Sequence, residues 1–133
     1  VLQMFQEKTQ TEGEGFKVPC LIPAEAFGVT NDDDLAWVRP RLNPHPLKTK
    51  LDAIHLTNPK VAEIAHTFIY CNKPAVGPFG QFADRLKNDD SWQYLEMATG
   101  HDAMITEPEK LAEIVLGIGA ASSAGESKTA HRI

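Results

Sequence analysis

The sequence is short of several things, and each shortage narrows its chemistry. It has only two cysteines in 133 residues, Cys20 and Cys71. They are far apart and in no metal-ligand spacing. Nothing else in the composition points to an oxidising compartment, so a disulfide is not the expected state. Cys71 ends an apolar run and reads as a buried free thiol. No apolar run approaches the roughly 20 residues of a membrane span, so no membrane partner is expected. Basic residues are also scarce: 13 Lys and Arg stand against 18 Asp and Glu, a net charge of −5. Surfaces that track phosphates carry the opposite balance, and the small cluster of Lys48 and Lys50 does not change it. Nucleic acid is therefore not an expected partner. No signal peptide is recognisable. A chain that begins at Val1 rather than Met need not include its native N-terminus, so a cytoplasmic location is a default expectation.

What is present fits one globular domain, with 42% hydrophobic and 23% charged residues. The first 60 residues are irregular. Val1 to Lys8 reads as the end of a helix, and Thr11-Glu-Gly-Glu-Gly15 breaks any pattern. Phe16 to Pro23 is extended and too rich in proline for a central strand. Asn31 to Arg39 reads as a short helix, with Thr30 or Asn31 as N-cap and Asp32, Asp33 and Asp34 at the positive end of its dipole. That role accounts for the triple aspartate without a metal. Pro40 ends the helix. Residues 42–60 are loop-like, and Asn43-Pro-His-Pro46 holds His45 extended, as a surface residue.

The pattern then becomes regular. His66-Thr-Phe-Ile-Tyr-Cys71 has the composition of a strand buried on both faces of a parallel sheet. Phe79, Phe82, Ala83 and Leu86 follow helical spacing, with Pro78 in the first turn. Asn88 to Ser91 is a turn and Trp92 to Met97 a second strand. Ala98 to Ile105 reads as a loop. A final helix is expected behind it, with Thr106 and Glu109 as a capping box and Leu111, Ile114, Val115 and Ile118 as its apolar stripe. Residues 120–133 are small and polar and read as a disordered tail. Strand, helix, strand, helix at this spacing implies an α/β fold with a parallel sheet. Chemistry in such sheets sits at the carboxyl ends of the strands, which is where His101 falls.

The segments Thr67-Phe-Ile-Tyr-Cys71, Gly77-Pro-Phe79, Gly100-His-Asp-Ala-Met104, Pro108 and Leu111-Ala112 together resemble the last two strand–helix units of α/β-hydrolases. The subgroup they are most similar to includes methyl-salicylate esterase, the hydroxynitrile lyases and bacterial relatives. Asp34-Leu35-Ala36 resembles the helix that leaves the lid of that fold. The resemblance covers roughly residues 30–118. It implies the carboxy-terminal portion of an α/β-hydrolase sheet preceded by lid segments. Residues 1–60 would be the lid remnant and connecting helix, 61–119 the carboxy-terminal core, and 120–133 the tail. It also implies that His101 is the catalytic general base, taking a serine proton during attack and returning it to the leaving group. His45, His55, His66 and His131 have no comparable setting.

The rest of that machinery is not in this sequence. There is no Gly-x-Ser-x-Gly elbow. Gly125-Glu-Ser-Lys-Thr129 is a partial match, but it follows His101, whereas the fold runs nucleophile, acid, histidine. The loop Asn72 to Gly77 lacks the carboxylate that many members place there. Asp84 falls within a helix, and Asp102 is poorly placed to reach back to the ring beside it. Some relatives carry the acid on the strand before the lid, which would lie upstream of Val1. The expectation is a serine hydrolase acting on a small ester when full length, with no cofactor and no metal. The missing amino-terminal half of the fold would be its partner, and this chain alone would be inactive. Lid side chains such as Phe16, Leu21, Phe27 and Trp37 could line an acyl or aryl pocket. The alternative is a non-catalytic hydrolase-like module that binds a ligand or partner.

Overall fold

The computed structural model describes residues 2–129. The first helix, α1 (Leu2–Glu12), runs one turn beyond its expected end and stops at Gly13. A short strand, β1 (Lys17–Val18), pairs antiparallel with β2 (His45–Pro46). The prolines around both restrict this ladder to two residues each, because each proline removes a donor. Between them, Ala24–Phe27 forms a 3₁₀ turn closed by Gly28, and α2 (Asp32–Val38) follows. Asn31 caps α2 as expected: its side-chain oxygen accepts from the amides of Asp33 at 2.9 Å and Asp34 at 3.2 Å. A single turn, α3 (Lys48–Leu51), interrupts the stretch expected to be loop.

The second half holds the longer elements. Strands β3 (His66–Cys71) and β4 (Trp92–Met97) pair in parallel, from His66 opposite Trp92 to Cys71 opposite Met97. Their bounds coincide with the two runs read from the sequence. Helix α4 (Gly80–Leu86) connects them, burying Ala83 and Leu86. The register aligns like with like on one face: His66 lies against Trp92 and Phe68 against Tyr94, with ring centroids 4.6 and 6.2 Å apart. On the other face, Thr67 donates to Gln93 at 3.1 Å. All six residues of β3 are only half-buried, not buried on both faces as expected, because each strand has a single neighbour among the described residues.

Two expectations for the last segment are corrected. The loop after β4 contains a turn of helix, α5 (Ala103–Thr106). Thr106 therefore ends α5 rather than capping α6 (Pro108–Thr129), and no capping box forms. Its hydroxyl bonds Thr99 Oγ1 at 2.7 Å instead. Helix α6 also continues past Gly119 to Thr129, where a disordered tail was expected. Its alanines favour helix and no proline interrupts it; residues 130–133 lie outside the described ones. Leu111, Ile114 and Ile118 are half-buried, whereas Val115 is exposed. Among the described residues, no helix is long and apolar enough to cross a membrane.

The two halves share one apolar cluster. Ala24, Val29, Leu35 and Val38 from the first half are buried together, and Ile105 of α5 packs against them. Ile105 lies in the turn of helix that follows His101.

Candidate functional site

The loop after β4 is held from three sides. On the sheet side, the Asn72 amide donates to Met97 O and the Lys73 amide to Thr99 O, both at 3.0 Å. These bonds continue the parallel pairing one step beyond the strands. On the helix side, the buried Thr99 hydroxyl meets that of Thr106. On the side of the first half, Gly100 lies against Gly28. A Cβ on Gly28 would stand 2.6 Å from the Gly100 Cα, and one on Gly100 would stand 2.7 Å from the Gly28 Cα. Gly28 also has φ near +90°, which glycine tolerates and other residues resist. The Asp102 amide adds a long hydrogen bond of 3.4 Å to Phe27 O.

This clamp fixes the next side chain. The His101 ring is half-buried and stacks flat on Phe79, with centroids 3.7 Å apart and planes 7° from parallel. Phe27 lies 5.8 Å away and tilted by 41°. Stacking occupies a ring face, while both ring nitrogens point outward in the ring plane. The imidazole is therefore oriented by apolar contacts and keeps its nitrogens for hydrogen bonding. Phe79 had a visible signal, since it belongs to the Gly77-Pro-Phe79 segment. The Gly28–Gly100 contact had none, because it joins positions 72 residues apart.

The carboxylate nearest in sequence is Asp102, and burial raises its pKa above the ordinary range while the charge of His101 pulls it back. It makes no side-chain hydrogen bond to the helix it precedes. Among the described residues, no carboxylate hydrogen-bonds to the His101 ring. Burial also raises the pKa of the Cys71 thiol, with a further push from Asp102. Cys71 is half-buried and free, and Cys20 is free and exposed. Ser91 lies before the first residue of β4 and bonds Asp89. A six-residue strand spans roughly 20 Å, so Ser91 and His101 sit at opposite ends of the sheet.

The other candidates stand apart. Asp84 is exposed on α4. Asp32, Asp33 and Asp34 occupy the first turn of α2, and no group of three His, Cys, Asp or Glu is placed to hold a metal among the described residues. His45 contacts Thr49 Oγ1 at 3.2 Å, His66 packs on Trp92, His55 is exposed, and His131 lies outside the described residues. Of the four side chains expected to line a pocket, Leu21 and Phe27 do share one, a cavity of about 210 Å³. Phe16 lines a separate depression with Leu47 and Leu51. Trp37 is exposed, with the Arg41 guanidinium 4.4 Å above its ring.

No family model matches the sequence, and no solved structure matches it. Over 98 residues, however, the chain is 32% identical to a carbendazim hydrolyzing esterase of Nocardioides sp. (strain SG-4G). The chain is related to an esterase. The match takes in 74% of this chain and 40% of that esterase, so this chain spans less than half the length of its relative.

Proposed function

We propose that this chain is the carboxy-terminal portion of a serine hydrolase of α/β-hydrolase architecture that cleaves a small carboxylic ester. The observation that carries the reading is the setting of His101, which is held on a short clamped loop at the carboxyl end of a parallel strand pair. The relationship to an esterase supports it. In this reading the nucleophilic serine comes from a strand–helix elbow in a segment outside this chain. Serine attacks the ester carbonyl, His101 takes its proton, and the protonated ring returns it to the departing alcohol. Water then enters by the same route in reverse and releases the acid. The aspartate that orients His101 is assigned to the strand that precedes the lid, in the same outside segment. The pattern is similar to that of the methyl-salicylate esterase and hydroxynitrile lyase group, with lyase chemistry as a variant.

A binding module without chemistry is the second reading. It is favoured by the absence of a carboxylate from the loop Asn72–Gly77 and, among the described residues, of any carboxylate bond to the His101 ring. One experiment separates the two. The full-length protein containing this chain should react with a serine-directed fluorophosphonate and cleave p-nitrophenyl acetate. His101→Ala should lower that turnover by at least about 10³-fold while the circular dichroism spectrum is kept. Retention of more than a tenth of the activity sinks the assignment of His101, and failure of the parent protein to label favours the binding module.

A further inference from the structure

The cavity of about 210 Å³ lies wholly in the first half, against α1, the extended stretch after β1 and the Leu42–Lys50 segment. Its apolar wall includes Phe5, Val18, Leu21, Ile22, Phe27 and Leu42. Phe27 is also the tilted ring beside His101, so the cavity lies one aromatic side chain away from the histidine. An apolar cavity of about 150 Å³ accommodates benzene. The volume here therefore admits one ring bearing a short substituent.

Lys50 lines the same cavity. Its ammonium stands 5.9 Å from the Phe5 ring centroid. Among the described residues the ion pairs are Lys8–Glu12, Lys17–Glu14, Arg39–Glu25 and Lys87–Glu96, and Lys50 belongs to none of them. Among the described residues, no carboxylate lines the cavity. Lys50 is the ammonium at this cavity, whose other polar lining is His45 and Cys20. A lysine stem can cover apolar wall while its ammonium stays at the water boundary. A ring inside and an anion at the mouth would complement both features.

We infer that this cavity binds a small aryl-alkyl carboxylate, with the ring against Ile22, Leu42 and Phe27 and the carboxylate paired with Lys50. The site does not depend on the hydrolase reading, and its test uses no turnover. The full chain is titrated with 3-phenylpropionate and with its neutral amide, followed by the methyl resonances of Ile22 and Leu42. The acid should bind roughly fivefold more tightly than the amide at low salt. Lys50→Gln should abolish that preference and Lys50→Arg should keep it. Leu42→Ala should weaken both ligands. Equal binding of acid and amide, a preference that survives Lys50→Gln, or the absence of saturable shifts at Ile22 and Leu42 would each overturn the assignment.

Discussion

Between His66 and Ile118 the structure follows a period, whereas between Leu2 and Glu63 it follows local caps and close approaches. The first stretch holds two six-residue strands and the first half of a 22-residue helix. The second holds two-residue strands, single turns and seven- to eleven-residue helices. It also exposes apolar side chains in its last segment, with Ile54 at 86% and Leu56 at 75% of their full accessibility. Yet a cluster of buried apolar residues around Val29 lies in the irregular half. Regularity and burial are thus separate properties of this chain. The His101 loop forms where the two halves meet, and it draws on both.

The contact between Gly28 and Gly100 tests whether the halves act as one unit. Gly28→Ala would place a methyl group 2.6 Å from backbone and force a non-glycine residue to φ near +90°. Overpacking typically costs about 1–3 kcal/mol, and a strained backbone adds about 1–3 more. The expected loss is about 3 kcal/mol in a urea unfolding series. Because Ile105 joins the first-half cluster, hydrogen-exchange protection should fall in β3 and β4 as well as around residue 28. Undiminished protection in the strands would show that the halves are only neighbours.

That contact also marks where sequence reading runs out. The β3 and β4 runs are legible because composition and length identify a strand without reference to partners. The Asn31 cap is legible because it acts over three residues. The Thr99–Thr106 bond, by contrast, diverts a plausible capping residue into a different role. The clamp on His101 combines Phe27, Gly28, Phe79 and Gly100, three segments whose meeting no local pattern announces. His101 itself stood out by its place after a strand. The contacts that orient it could not be read from that place.

A smaller effect sharpens the claim that the first half depends on caps. Asn31→Ala removes the acceptor for two amides at the start of α2. The cost should be about 1 kcal/mol, and Asn31→Ser should recover most of it. An unchanged midpoint for the alanine variant would mean that burial of Leu35 and Val38 alone holds α2.

The smallest expected effect concerns Asp102, which sits on the seam between the halves. Burial holds its pKa above the ordinary value of 3.8, and His101 opposes that shift. The folded state therefore holds the proton more tightly than the unfolded state. Below the ordinary carboxylate range both states are protonated, and Asp102 costs nothing. As pH rises through the unfolded value and then the raised folded value, stability is lost, and above that window the loss is constant. Asp102→Asn stays neutral throughout, so it should be more stable than the parent at pH 7 and equal to it near pH 3. Because Asp102 is only half-buried, solvent screening limits the gain to a few tenths of a kcal/mol, readable as a small shift in urea midpoint. The opposite sign at pH 7 would show that the ionised carboxylate is favoured by its surroundings more than it is penalised by burial. The orienting acid of the proposed hydrolase would then be sought at Asp102 rather than on the strand before the lid.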